Sequence, residues 1–378
     1  MSQTSGPVGE PSAVVPGISR RRSRAAGSLL IGLIAIGLTA LTGALLLLVA
    51  GHDPIAAAGA LWRGAFGSWN AFVSITLVRS VPLILTGLAV ALAFRAGIWN
   101  IGAEGQLYTG AVAAVWVGVA GAGVPALVLA PAVLGAACLA GAAWALVPML
   151  MRIRLGVGEV ITTILMNFVG IHFAAYMVHG PLRETRGVFA QTDPVVAAAR
   201  LPPLIPGTRL HVGFAIALGL ALGLALVVRG TRFGFQLRAV GASPAAAAVS
   251  GRIDVSRVTA ICFLASGAIA GLAGGVEISG LTFALYEDLS PGWGYTAIAV
   301  ALLAGLGPGG VVLTGIFFGA LQAGAGAMQR DTGIPAAWVG VIEALVILTV
   351  LALDRVRRID RGGGSSRGEA AEPAEMRP

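Results

Sequence analysis

Along this chain apolar residues do not alternate with polar ones. They come in long runs separated by short polar breaks. Runs near the roughly 20 residues that a helix needs to cross a bilayer core cover about 28–50, 72–94, 125–151, 159–179, 210–228, 258–280 and 336–353, with shorter ones over about 106–120, 294–306 and 311–328. The pattern predicts an all-α polytopic membrane protein with about ten transmembrane helices. An even number of crossings puts both termini on the same side. Pro82 falls inside the second run, where neighbouring helices can satisfy the carbonyl it frees.

The breaks differ in character. Residues 1–26 are rich in Ser, Pro and Gly and contain the basic cluster "SRRRSR", which predicts a disordered tail ending in a positive anchor. Residues 27–354 form the transmembrane domain, and 355–378, with the low-complexity "GGGSSRG", a second disordered tail. Gly51 to Asn70 is less apolar and carries Trp62 and Trp69, as expected of a loop at the membrane interface. The proline-rich segment 180–209 reads as an external loop. The first apolar run is longer than the apolar core of an export signal and is expected to remain as an anchor.

Composition sharpens this reading. The chain is 57% hydrophobic and 11% charged, against about 25% charged in ordinary soluble domains. Its 55 glycines suit helices that approach closely in lipid. The net charge of +8 would suggest nucleic acid as a partner in a soluble protein. Here the basic residues sit at the ends of apolar runs, where they set orientation, and no nucleic-acid surface is expected. With the N-terminus in the cytoplasm, 18 of the 25 arginines fall on the cytoplasmic side. The other seven are Arg63, Arg79, Arg183, Arg186, Arg200, Arg209 and Arg330. That bias predicts cytoplasmic N- and C-termini. All 25 basic residues are arginine, so a G-x-x-x-x-G-K-[ST] phosphate loop is impossible in this chain. If nucleotide hydrolysis drives its action, another polypeptide binds the ATP, and the chain itself needs no cofactor. Cys138 and Cys262 lie in apolar runs, and the four histidines have no metal-ligand spacing. No catalytic set of residues stands out, so an enzyme is not expected.

Two stretches carry polar chemistry. Phe94 to Gly110, "FRAGIWNIGAEGQLYTG", places Asn100, Glu104 and Gln106 between apolar runs, with Gly97, Gly102 and Gly105 breaking the helix. Irregular backbone at membrane depth survives where it is buried in protein or lines a wet cavity, so the stretch either borders a translocation pathway or is a plain cytoplasmic turn anchored by Arg95. The second stretch, 229–257, is too polar to cross. Its "SPAAAAVSG" reads as a short helix with Ser243 as N-cap, Pro244 in the first position and Gly251 as the stop. Such a helix is either a docking handle for a cytoplasmic partner or an ordinary connection. Further along the chain, Asn167 shares a helix face with Thr162 and Thr163, and Glu159 suits the helix N-terminus. Glu277 and Glu343 need a partner or water if they lie within spans. Glu277, beside Gly274 and Gly275, is the better pathway candidate, and Gly267, Gly271 and Gly275 form a packing ridge.

Four motifs in order, "FRAGIWNIGAEGQLYTGA", "GVGEVITTILMNFVGIH" with "GPLRE", "GFQLRAVGASPAAAAVSGRIDVSRV" and "SGAIAGLAGGVEISG", resemble the membrane subunit of bacterial ABC importers for nucleosides and simple sugars. That subunit lies within the branched-chain amino acid and ribose permease superfamily. The resemblance spans about 72–353. It implies a permease in the bacterial inner membrane that works with cytoplasmic ATPase subunits, a second homologous permease subunit and an external substrate-binding protein. It also implies that Gly241, Ala242, Ala246, Ala247 and Gly251 belong to a coupling segment seated in a groove of the ATPase. Ser243 caps that segment, and Arg238 and Arg252 are placed to pair with acidic groups on the rim. Asn100, Glu104, Gln106, Asn167 and Glu277 are then the expected pathway residues. The competing reading is an ion-coupled secondary transporter in which Glu277 or Glu343 binds a proton.

Overall fold

The computed structural model describes residues 37–249 and 251–362. The expected tail over 1–26, the start of the first run and the end of the second tail lie outside the described residues. The described chain is all-helical, in two units.

The larger unit covers Leu47–Glu343. In chain order the helices are α1 (Gly37–Val49), α2 (Pro54–Phe66), α3 (Leu77–Arg95), α4 (Ala103–Ala120), α5 (Ala126–Leu155) and α6 (Glu159–His179). They continue with α7 (Gly213–Gly230), α8 (Arg232–Ala242), α9 (Pro244–Val249), α10 (Val255–Glu277), α11 (Trp293–Leu303), α12 (Pro308–Thr332) and α13 (Ala337–Gly362). A π-helical turn, Ala71–Thr76, leads into α3, and another, Ile278–Thr282, extends α10. The smaller unit takes the described residues up to Leu46 and from Ala344; within it the Thr39 and Thr349 hydroxyls lie 3.4 Å apart.

Among the described residues six helices are long and apolar enough to cross a membrane: Ala71–Arg95, Ala126–Leu155, Glu159–His179, Gly213–Gly230, Val255–Thr282 and Pro308–Thr332. The expected count of about ten is larger for physical reasons. Polar Glu104, Gln106 and Thr109 dilute α4, and the 11 residues of α11 reach only about 16 Å at 1.5 Å per residue. The expected interface loop 51–70 holds a helix. Asp53 Oδ1 accepts from Ile55 N at 2.8 Å, and Pro54 opens α2 in the position where its missing N–H is harmless. At the other end α13 runs past residue 354 to Gly362, where the glycine-rich segment begins.

Burial separates the spans into two groups. The α3 span is 83% buried and the α10 span 67%, while those of α5, α6 and α7 are 22%, 28% and 22% buried and keep their apolar outer faces for lipid or a partner. At the centre α10 packs on α3, α4 and α5. The ridge of glycines makes this approach possible. A Cβ at Gly271 would lie 2.3 Å from the Ala137 carbonyl oxygen, and one at Gly110 2.3 Å from that of Gly271. Backbone meets backbone there, and no side chain fits.

Candidate functional site

The stretch 98–106 is a closed hydrogen-bond hub. Asn100 is fully buried: its Nδ2 donates to Gln106 Oε1 at 3.2 Å and Ser266 Oγ at 2.9 Å. Its Oδ1 accepts from Gly102 N at 3.0 Å and Gln106 Nε2 at 3.2 Å. Ser266 Oγ donates to Ala89 O at 2.8 Å, which ties α10 to α3. From α6, Asn167 Oδ1 accepts from Gly105 N at 2.8 Å, and its Nδ2 donates to Ile101 O at 2.9 Å. Thr163 Oγ1 takes the Ile101 N–H at 3.3 Å. Two amide side chains thus replace the helical bonds that the glycine-broken backbone lacks. Glu104, 2% exposed, lies in the first turn of α4, and its Oε2 accepts from Gly294 N, in the first turn of α11, at 2.5 Å. Two helix N-termini therefore converge on one carboxylate, where their dipoles favour it. Glu159 opens α6, accepts from Trp99 N at 3.2 Å and pairs with Arg152 at the end of α5.

Glu277 lies apart from this hub. It lines a cavity of about 450 Å³ whose wall also includes Arg79, Arg209, Trp293 and Arg330. Glu343 lines a neighbouring cavity of about 320 Å³, which shares Arg79 and Pro291 with the first. A third, about 470 Å³, shares Arg209 and Leu281 and reaches His211. His211 Nδ1 accepts from Gly213 N at 3.2 Å, while Nε2 is buried without a partner among the described residues. Burial pushes this imidazole down to about 4, so it is neutral near pH 7.

The segment between α7 and α10 is built by caps. Thr231 Oγ1 accepts from Gly234 N at 3.0 Å to open α8, Ser243 Oγ from Ala246 N at 3.2 Å to open α9, and Asp254 Oδ1 from Arg257 N at 2.9 Å to open α10. Gly251 turns the chain at φ +65°. Arg238, Ala242, Ala246, Gly251 and Arg252 are exposed, and Ser243 is half-buried. Two of the expected coupling residues face inward. Ala247 is buried, and Gly241 sits so close to α3 that a Cβ would lie 1.9 Å from the Arg95 carbonyl oxygen. Arg238 donates to the Val228 carbonyl, tying α8 to α7. The outward apolar surface comes from residues the sequence did not single out, Val249 at 89% exposed and Phe235. Arg95 carries the connection inward, since its Nε donates to Leu306 O at 2.8 Å, in the turn between α11 and α12. The far end of α11, which starts at Trp293, meets Glu104 through the Gly294 N–H.

Residues 72–351 match the family described as branched-chain amino acid transport system, permease component. The chain belongs to this permease family. The permease is 39% identical to the guanosine ABC transporter permease protein NupP of Bacillus subtilis, over 87% of this chain and 94% of that one. It is 37% identical to the glucose ABC transporter permease protein TsgB13 of Haloferax volcanii, over 88% and 90%. With the nucleoside ABC transporter permease protein NupB of Lactococcus lactis it shares 32%, over 85% and 90%. Such proteins are transport components and not enzymes.

Within the permease, Asn100, Gln106, Asn167 and Glu104 come together at the hub, Glu277 stands in the cavity, and the coupling candidates cluster on α8, α9 and the turn after them. Sequence reading missed Arg79, Arg209, Arg330 and Trp293 as a group. It treated the three arginines only as charges for orientation, and they come from α3, the segment before α7 and α12. The polar atoms of α11's approach, Ser290 and the Gly294 N–H, were also invisible, because their role depends on Glu104 arriving from α4.

Proposed function

We propose that this permease is the membrane subunit of an ATP-driven importer that carries a nucleoside or related simple sugar delivered by an external binding protein. The observation that carries the reading is the near full-length similarity to permeases named for guanosine, glucose and nucleosides. The absence of lysine from the chain agrees with an ATPase on another polypeptide. In this reading α1, α3–α7, α10, α12 and α13 cross, the short α11 completes a tenth crossing together with the irregular segment before it, both termini are in the cytoplasm as the arginine bias favours, and α2 lies at the interface. The protein resides in the bacterial inner membrane beside a second, homologous permease subunit.

The cytoplasmic ATPase docks on α8 and α9. Motion imposed there passes through the Gly241–Arg95 contact to the Arg95–Leu306 bond, and along the short α11 to the cavity. Glu277 contacts cargo. Asn100, Glu104, Gln106 and Asn167 stand beside the pathway and hold α3, α4, α6, α10 and α11 in register, since each amide is already committed within the protein.

The docking is tested with Val249→Glu and co-expressed ATPase. A carboxylate forced into an apolar groove costs at least about 1.4 kcal/mol, so recovery of the ATPase on the purified permease falls about tenfold or more. The membrane level of the permease stays the same. Unchanged recovery contradicts docking through this face. Ala247→Glu does not test the same point, because residue 247 is buried against the chain itself.

A further inference from the structure

The family and its relatives leave open which part of the cargo the membrane subunit recognises. We propose that the cavity around Glu277 binds the hydroxylated ring of the cargo, a pentose or hexose, and does not read the base of a nucleoside. This rests on the importer reading above and deepens it.

The two buried glutamates of this region are not equivalent. Glu343 is committed: its Oε2 accepts from Thr296 Oγ1 at 3.3 Å and its Oε1 from Gln322 Nε2 at 3.4 Å. Gln322 in turn accepts from Trp293 Nε1 at 3.2 Å. Ser290 Oγ takes the Trp293 backbone N–H at 3.0 Å, so the residue is held by its backbone and by its indole N–H as an apolar wall. Glu277, by contrast, is 3% exposed, and its carboxyl group has no hydrogen-bond partner among the described residues, while it lines the cavity. A buried carboxyl group without a partner is costly unless a ligand or water supplies donors.

Arg79, Arg209 and Arg330 surround the same cavity, and none of their guanidinium groups has a hydrogen bond or ion pair among the described residues. Arg79 lies in the field of Glu277, and of the seven arginines outside the cytoplasmic clusters the four away from this cavity are engaged elsewhere: Arg63 pairs with Asp331, Arg183 donates to Gly187 O, Arg200 to Val195 O, and Arg186 lies in the field of Asp193. Both π-helical turns border this cavity, through Ser74 and Ile75 on one side and Leu281 on the other. Such turns often mark functional sites.

The chemistry suits a hydroxylated ring. Neighbouring ring hydroxyls offer paired donors to a carboxylate and paired acceptors to a guanidinium fork, while the C–H face of the ring lies on an indole. A guanidinium and a carboxylate can also meet a base edge, so the lining alone does not choose between ring and base, and the choice rests on what the named cargo have in common. An anionic group at its floor would face Glu277. The relatives named for glucose and guanosine have cargo that share a hydroxylated ring and no base.

The test is saturation-transfer NMR on the full chain in lipid nanodiscs, with guanosine, ribose, guanine and inorganic phosphate as probes. Saturation concentrated on the ribose protons of guanosine, displacement of guanosine by ribose, and no displacement by guanine or phosphate are expected. Glu277→Gln and, independently, Arg330→Gln weaken ribose binding about tenfold, the effect of losing one charge-assisted hydrogen bond. Displacement by guanine or phosphate as effective as that by ribose overturns the proposal, and so does unchanged ribose binding in both variants. Uptake of labelled nucleosides and hexoses by cells lacking the chain separates the two levels. If uptake is lost in those cells while ribose does not bind the nanodiscs, the cavity assignment fails alone. If uptake of every probe persists, the importer reading beneath it fails.

Discussion

Replacing Gly271 by valine abolishes the folded permease. The Cβ alone would lie 2.3 Å from the Ala137 carbonyl oxygen, 2.9 Å from Gly141 Cα and 3.0 Å from Gly141 N, and Gly110 closes the other side. None of these atoms belongs to a side chain that can swing away, so α4, α5 and α10 must separate. Overpacking of an ordinary core costs about 1–3 kcal/mol. Here three backbones are displaced together, so the cost is expected to exceed about 3 kcal/mol. The measurement is the yield of monodisperse protein and its thermal unfolding in detergent, with Gly135→Ala as control. Gly135 lies on α5 with open space around its Cβ position, so that change leaves stability the same or slightly higher. A Gly271→Val protein that unfolds with the wild type contradicts the packing account.

Asn167→Leu is the second large effect. It keeps most of the side-chain volume but removes both side-chain bonds that Asn167 makes to the broken backbone, leaving Gly105 N–H and Ile101 C=O without these partners. At about 1–3 kcal/mol for each of the two orphaned groups, the loss is roughly 2–6 kcal/mol. Unfolding temperature and uptake then fall together. If uptake collapses while the unfolding temperature holds, Asn167 touches cargo and does not serve as a brace. The same comparison applied to Asn100 and Gln106 decides whether the hub stands beside the pathway or on it.

What could be read in the sequence follows from what is local. Run length placed most of the long helices within a few residues, α2 and the end of α13 excepted, because a bilayer sets that length whatever the tertiary packing. The caps Ser243 and Asp53 depend only on their immediate neighbours. Ser243 shows this, and Asp53 before Pro54 carries the same signal inside a segment whose low hydropathy reads as a loop. The packing role of Gly267 and Gly271 and the position of Glu159 at a helix start also follow from spacing along one helix. The cavity did not show, because Arg79, Glu277, Trp293 and Arg330 stand on four different elements and meet only through the fold. Nor could the sequence say which side of a six-residue alanine helix faces inward. Ala246 and Ala247 are chemically identical, and burial distinguishes them only once α9 is laid against the chain. For Asn100 and Gln106, the sequence showed polar groups that needed partners; it did not show that they satisfy each other.

The most direct test of an account in which translocation is powered through α8 and α9 measures uptake of labelled nucleosides in cells expressing the permease with its partners. Cellular ATP is clamped while an uncoupler dissipates the ion gradients. The account predicts that uptake continues at its original rate and stops when ATP is withdrawn. Collapse on uncoupling with ATP held constant would contradict it, and would place the driving force on a proton-binding group such as Glu277 or Glu343.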